Sequence, residues 1–211
     1  MRKLLLALSL SVGLAHPSLA ADLTTEQMPA DSEPSISSRY LLMDANGRAV
    51  SNQDFRGRFQ LLTFGYTYCP DICPTTLAEM AMVISRLGKE ADALQALFIT
   101  VDPERDTAAT LRDYLAFFDP RIIGLSGSPA LVRKAAESFK VRYEKVREPG
   151  APEDQYAVDH SAGMYLLGPD GRFIRKFAYA MPAAQIAEQI HEIMAGHGPR
   201  SAARHIPLAA Q

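Results

Sequence analysis

The stretch RFQLLTFGYTYCPDICPTTLAEM, residues 58–80, joins a strand, a cysteine pair and the start of a helix. Residues 58–66 form a short apolar and aromatic run, which predicts a buried strand. The residues after the loop have apolar side chains at helical spacing, with Pro74 suited to the first turn and Gly88 to the end of the helix. Cys69 and Cys73, the 2 cysteines of the chain, therefore lie between a strand and a helix.

The rest of the chain continues this alternation. Downstream of the cysteine loop, the predicted elements are strands at 94–101 and 121–125, helices at 106–118 and 129–139, an edge strand at 140–146, a polar loop at 147–159, a hairpin at 162–180 closed by the turn GPDG, and a final helix at 182–196. This order predicts the α/β class, as a thioredoxin-like α/β sandwich in a single domain with a central mixed sheet.

The two ends of the chain differ in composition from the middle. Residues 1–20 contain two basic residues, a short apolar run and small residues at the end, which predicts a signal peptide cleaved after Ala20 and export to the periplasm. An uncleaved membrane anchor, with peripheral or N-terminal membrane association, is the alternative. Residues 21–38 are rich in Ser, Pro and acids and predict a flexible linker, and residues 196–211 predict a disordered tail. The domain then spans 39–195.

The charge balance excludes one class of partner. The leader contains two of the 22 basic residues, so 20 basic residues stand against 24 acidic ones in the mature chain. Nucleic acid would require a basic face, so it is excluded as a partner. A domain of this size forms an adequate core without disulfide staples. The cysteine pair is therefore either one local bridge or a functional site.

Three polar segments are expected at one edge of the sheet. The cysteine loop and the segment 101–103 follow parallel strands, and such sheets gather sites beyond the carboxyl ends of their strands. The segment VDHSAG, residues 158–163, precedes a strand predicted to run antiparallel, which would begin at the same edge. His160 is thereby brought towards both cysteines. The leader, last helix and tail hold the other histidines, His16, His191, His197 and His205.

Several roles are open for Cys69 and Cys73. The neighbouring prolines disfavour a buried structural thiol. A static disulfide is compatible with export, but a bridge that closes so few residues would stabilise the fold little. The helix starting at Pro74 is expected to lower the pKa of Cys73, because a helix N-terminus favours negative charge. The thiolate is the form that binds metal or attacks a disulfide.

A metal site would combine two thiolates with one imidazole. This soft set favours copper, as Cu(I) or Cu(II), over zinc, because structural zinc normally has four protein ligands. The predicted metal ligands are Cys69, Cys73 and His160. Asp159 or a backbone carbonyl is expected to orient the His160 ring by accepting its other N–H. Asp102, at a strand end, is expected either to stabilise a turn, paired with Arg105, or to support the ligands from behind.

Three motifs occur in order: DFRGRFQLLTFGYTYCPDICPTTLAEM (54–80), ITVDPERDT (99–107) and YAVDHSAGMYLLGPDGRF (156–173). Together they resemble the Sco/SenC family. The resemblance implies a thioredoxin-like copper protein that helps to assemble the binuclear copper centre of cytochrome c oxidase. It implies Cys69, Cys73 and His160 as copper ligands and a part in copper handling for Asp102. Many members of this family are membrane-tethered, whereas this N-terminus predicts cleavage.

Two functions follow as hypotheses. The first is a metallochaperone that passes copper by ligand exchange to a copper-accepting subunit of the oxidase, with other periplasmic copper chaperones or thiol reductants as further partners. The second is a thiol-disulfide oxidoreductase, in which the redox-active pair Cys69 and Cys73 keeps the oxidase's copper-ligand cysteines reduced. A thiol peroxidase is disfavoured because Tyr66 and Pro70 occupy the positions where that family has a threonine.

Overall fold

A computed structural model describes residues 36–197 of the chain. The predicted signal peptide, residues 1–20, lies outside this range, as do residues 21–35 of the predicted linker and residues 198–211 of the predicted tail. Among the described residues, no helix has both the length and the apolar character needed to cross a membrane.

Strands and helices alternate through most of this range. The strands are β1 (Leu41–Asp44), β2 (Ala49–Ser51), β3 (Phe59–Gly65), β4 (Leu94–Thr100), β5 (Ile122–Ser126), β6 (Tyr143–Val146), β7 (Ala157–His160), β8 (Met164–Leu167) and β9 (Phe173–Phe177). The helices are α1 (Ile72–Leu87), α2 (Ala108–Ala116), α3 (Pro129–Ser138) and α4 (Ala183–Gly196), with a 3₁₀ segment at Gly88–Ala93.

A mixed sheet of seven strands, in the order β2-β1-β5-β4-β3-β8-β9, forms the centre of the fold. β3 is parallel to β4 and antiparallel to β8, with Thr63 opposite Met164. The carboxyl ends of β3 and β4 and the start of β8 therefore lie at one edge, as predicted. The central mixed sheet confirms the fold expected from the order of elements.

Helices cover both faces of this sheet. One face packs with α1, α2 and α4 through an apolar cluster that includes Leu61 and Phe98. The other packs with α3 through a cluster that includes Leu62 and Phe64. All residues of β3 are buried, because this strand lies inside the sheet and both faces of the sheet are covered. β3 ends directly before the cysteine loop.

The prediction missed or misplaced several short elements. β1 and β2 form an unpredicted hairpin at the edge of the sheet. The predicted edge strand at 140–146 corresponds to β6, but β6 pairs with β7 in a separate two-stranded sheet. β7 overlaps the end of the range predicted as a polar loop, and His160 is the last residue of this strand. These strands are short and largely exposed, so their sequences show no clear alternation.

Candidate metal centre

Three side chains converge at the predicted edge of the sheet. The Sγ atoms of Cys69 and Cys73 and a ring nitrogen of His160 all lie within 4.8 Å of one another. Cys73 Sγ is 3.3 Å from His160 Nε2, and the Cys73 backbone N–H donates to Cys69 Sγ at 3.4 Å. Both cysteines are free thiols. The structure thus brings together the three residues that the sequence singled out as ligands.

Different elements position the two cysteines. Cys69 lies in the loop after β3, and its backbone N–H donates to the Tyr66 carbonyl at 3.3 Å. Cys73 lies in the first turn of α1, which begins at Ile72, two residues before the predicted start. Gly65 makes room for this turn, since a Cβ there would stand 2.8 Å from Cys73 Sγ. Cys73 is therefore fixed against the end of β3, while Cys69 lies closer to the surface.

His160 is held by the chain on both sides of it. The register of β6 and β7 places His160 opposite Tyr143. Beyond His160, Gly163 has a backbone φ of +118°, and a Cβ there would meet the Phe177 carbonyl oxygen. Only glycine adopts this conformation readily. The Gly163 carbonyl accepts a hydrogen bond from Thr63 Oγ1 at 2.9 Å, which ties the residues after His160 to β3.

The expected low pKa of Cys73 is contradicted. Burial raises the pKa of its thiol far above the usual value, and a contact from the Tyr66 backbone N–H acts in the opposite direction without reversing the shift. Cys73 is only 2% exposed, so the loss of hydration outweighs the stabilisation of negative charge expected at the N-terminus of α1. Metals bind the thiolate form of cysteine, so metal binding at this site would have to release the Cys73 proton.

The ring of His160 is suited to act as a neutral ligand. Burial lowers its pKa, so the uncharged imidazole predominates at neutral pH. His160 Nδ1 lies 3.3 Å from the Ser161 carbonyl oxygen, which leaves Nε2 directed at Cys73. The orienting contact is thus the backbone carbonyl, one of the two options that the sequence left open. Asp159, the other option, is exposed on β7.

Asp102 is fully buried behind the centre and does not contact its donor atoms directly. Its Oδ2 accepts from Arg105 Nε at 2.5 Å, and its Oδ1 accepts from the Tyr156 hydroxyl at 2.8 Å. The pairing with Arg105 was one of the two expected roles. A supporting role for Asp102 towards the ligands stays a prediction.

Sequence reasoning missed the part that Asp106 plays in the site. This buried carboxylate accepts from the Thr67 backbone N–H at 3.1 Å, from Thr67 Oγ1 at 2.6 Å and from Thr100 Oγ1 at 2.6 Å. It thereby ties the cysteine loop to the end of β4. Asp106 opens the predicted helix 106–118, but α2 begins at Ala108 and is capped by Thr107. An acid just beyond the carboxyl end of a neighbouring strand was the available signal.

The remaining histidines in the described range lie elsewhere. His191 on α4 is exposed and contacts Glu90, and His197 is exposed after the end of α4. His16 and His205 lie outside the described residues. His160 is therefore the histidine that the fold brings to the thiols.

Comparison with known proteins places this geometry in a family. The SCO1/SenC family model matches residues 28–195. The mitochondrial SCO2 homolog of Bos taurus is 42% identical over 158 residues, which cover 74% of this chain and 59% of that protein. The chain thus matches about three fifths of the length of that relative.

Solved structures are similar as well. Bradyrhizobium japonicum ScoI with copper bound has a TM-score of 0.68 at 42% identity, covering 74% of this chain and 98% of that one. BsSco, described as having a disulfide switch and as a member of the Sco family of cytochrome c oxidase assembly proteins, has a TM-score of 0.58 at 25% identity, covering 75% and 92%. The copper in ScoI agrees with the predicted metal. By its sequence match and its fold, the chain belongs to the SCO1/SenC family.

Proposed function

We propose that this protein binds copper through Cys69, Cys73 and His160 and delivers it to the binuclear copper centre of cytochrome c oxidase during assembly. The observation that carries the proposal is the convergence of two thiols and one imidazole within 4.8 Å. Copper is then cargo, held by a soft three-donor set that leaves room for a ligand from an acceptor. The copper bound to ScoI and the assembly role ascribed to the Sco family support the same function.

The different burial of the donors suits transfer by ligand exchange. Cys73 is buried, whereas Cys69 and His160 are partly exposed. An acceptor thiolate or imidazole can replace the outer ligands first, while Cys73 keeps the ion in place until the last step. The acceptor would be the copper-accepting subunit of the oxidase, and other copper chaperones or thiol reductants would load and maintain the site.

The proposed compartment is the periplasm. The leader pattern at residues 1–20 supports export, either with cleavage or as a membrane-anchored form. Cell fractionation and N-terminal sequencing of the mature protein test this: we expect a soluble periplasmic chain that begins at Ala21. A membrane-bound chain that retains residues 1–20 would support the anchored form.

The second candidate is a thiol-disulfide oxidoreductase that keeps the oxidase's copper-ligand cysteines reduced. The observation in its favour is the unequal burial of two neighbouring free thiols. The outer Cys69 thiolate would attack a substrate disulfide, and Cys73 would resolve the mixed disulfide. At the end of the reaction, Cys69 and Cys73 would form a disulfide and the substrate would be released as the dithiol. The disulfide switch described for BsSco is consistent with such chemistry.

Copper titration of the reduced protein tests the first proposal. We expect stoichiometric binding, with a sulfur-to-copper charge-transfer band in the Cu(II) form. His160→Ala should weaken binding and change this spectrum, whereas the control His191→Ala, on the exposed face of α4, should alter neither. An unchanged affinity and spectrum in His160→Ala would rule out this ligand set.

An assembly assay separates the two functions. In cells that lack the protein, His160→Ala should fail to restore oxidase assembly if copper delivery is the function. Restoration by His160→Ala, together with failure of Cys69→Ser, would favour the oxidoreductase.

A further inference from the structure

Arg105, in the loop after β4, lies among three tyrosine rings. Its guanidinium carbon is 3.7 Å from the ring centroid of Tyr156, 4.8 Å from that of Tyr68 and 5.8 Å from that of Tyr66. The Arg105 side chain is only 17% exposed. Cation–π contacts are strongest when the cation has lost its water, so this packing holds the group firmly.

Hydrogen bonds close a ring around the same guanidinium. Arg105 Nε donates to Asp102, and Arg105 Nη1 donates to the Tyr156 carbonyl oxygen at 3.0 Å. The Tyr156 hydroxyl donates to the other carboxylate oxygen of Asp102 at 2.8 Å. Asp102 has no exposure to solvent, and its charge is balanced by Arg105. Together the three residues fasten the loop after β4 to the residue that precedes β7.

This ring of contacts reaches the segments that carry Cys69 and His160, two of the three proposed ligands. Tyr156 immediately precedes β7, which ends at His160. Tyr68 immediately precedes Cys69. The ring of Tyr66, at the end of β3, meets the His160 imidazole edge-on, with centroids 6.1 Å apart and an interplanar angle of 83°. Arg105 thus contacts both Tyr156, the residue before the strand that ends at His160, and Tyr68, the residue before Cys69.

We propose that Arg105 is the positioning residue of the centre, holding the segment of His160 against the cysteine loop through Tyr156, Tyr66 and Tyr68. This inference rests on the proposed copper binding, since it assigns Arg105 the task of presetting the ligand geometry. Arginine is required because its planar fork bonds Asp102 and Tyr156 while its face stacks on the rings. Lysine would keep the charge but lose both features.

The test compares Arg105→Lys with a chemically matched control. Arg121→Lys alters another paired arginine, whose guanidinium bonds both carboxylate oxygens of Asp119 before β5. Two measurements are made on each protein: Cu(I) affinity by chelator competition, and amide hydrogen exchange of residues 157–160 in the reduced, metal-free state.

For Arg105→Lys we expect copper affinity to fall about 10–100-fold, the usual cost of removing support behind a metal ligand. We also expect faster exchange in β7 and a shifted Cu(II) charge-transfer band. Arg121→Lys should change none of these.

A milder variant covers the case in which Arg105→Lys does not fold. Tyr156→Phe keeps the ring against Arg105 and removes only the hydrogen bond to Asp102, so the same changes should appear at smaller size. An Arg105→Lys protein that folds but keeps the wild-type copper affinity, spectrum or β7 exchange would overturn the positioning role. If Arg105→Lys does not fold, wild-type values in Tyr156→Phe would overturn it. If the wild type itself binds no copper, the proposed function fails, while the exchange measurement still reports whether Arg105 holds β7.

Discussion

Gly65 shows how little space separates the core from the cysteines. A Cβ at this position would stand 2.8 Å from Cys73 Sγ and 2.8 Å from Cε2 of Phe98. We predict that Gly65→Ala destabilises the fold by about 1–3 kcal/mol, the usual cost of overpacking a core. It should also weaken copper binding, because Cys73 or Phe98 must shift. Denaturant unfolding and copper titration measure the two effects.

The matched control is Gly196→Ala, at the end of α4, where a Cβ would meet nothing within 4 Å. Its stability should stay within about 0.5 kcal/mol of the wild type. Equal effects from the two substitutions would show that the crowding at Gly65 is relieved without cost.

At this scale, residue position could be predicted but residue environment could not. Cys69, Cys73 and His160 could be found because each lies near a strand end that the alternating pattern locates. The raised pKa of Cys73 could not, because its burial comes from side chains distant in the sequence, such as His160, whose Nε2 lies 3.3 Å from Cys73 Sγ. The links of Asp106 to Thr67 and Thr100 likewise depend on how two strand ends meet. Local patterns do not contain that information.

Among the elements, α4 and the 3₁₀ segment before β4 are joined by His191 and Glu90, whose closest contact is 2.8 Å. The hydrogen bond and charge of Glu90 raise the pKa of His191 above 6.5. A raised pKa means that protonated His191 favours the folded state. Its contribution is therefore fully present below about pH 6.5 and is lost as the pH rises through the folded-state value.

We predict that His191→Gln lowers the melting temperature at acidic pH and leaves it unchanged in mildly alkaline solution. Glu90→Gln should show the same pH dependence, and the double variant should lose no more than either single variant. Thermal unfolding at a series of pH values measures this. A melting-temperature difference that does not vary with pH would refute a contribution from the charged pair.

Elements with strong periodicity could be predicted, and short ones could not. The apolar runs of β3 and β4 and the helical spacing of α1 and α4 identified those elements. β1 and β2 form a hairpin of short strands, and its turn depends on Asp44. The Oδ1 atom of Asp44 accepts hydrogen bonds from the backbone N–H groups of Asn46 and Arg48. β7 is stabilised by pairing with β6, not by its own composition. Tertiary contacts decide such segments.

For the whole molecule, copper binding should appear as added stability. A ligand that binds only the folded state stabilises it by about 2.7 kcal/mol when its free concentration is 100 times Kd. We predict a rise in melting temperature when reduced protein receives Cu(I), and its reversal when a strong chelator removes the metal. Calorimetry at fixed protein concentration measures both.

Cys69→Ser and fully oxidised protein should show little or no rise, because each lacks the dithiol. An equal rise in these samples would indicate that copper stabilises the fold from another site.

The closeness of Cys73 to both Cys69 and His160 also has a topological meaning. A disulfide would join positions 4 apart, whereas a shared metal ion would join Cys73 to a residue 87 positions away. In the chain-entropy model, the disulfide raises the free energy of the unfolded chain by about 2 kcal/mol. A metal-mediated link between Cys73 and His160 raises it by about 4.6 kcal/mol. Since Cys73 can take part in only one of them at a time, oxidation and loading are mutually exclusive. Copper release would then open a loop that spans about two fifths of the 211-residue chain.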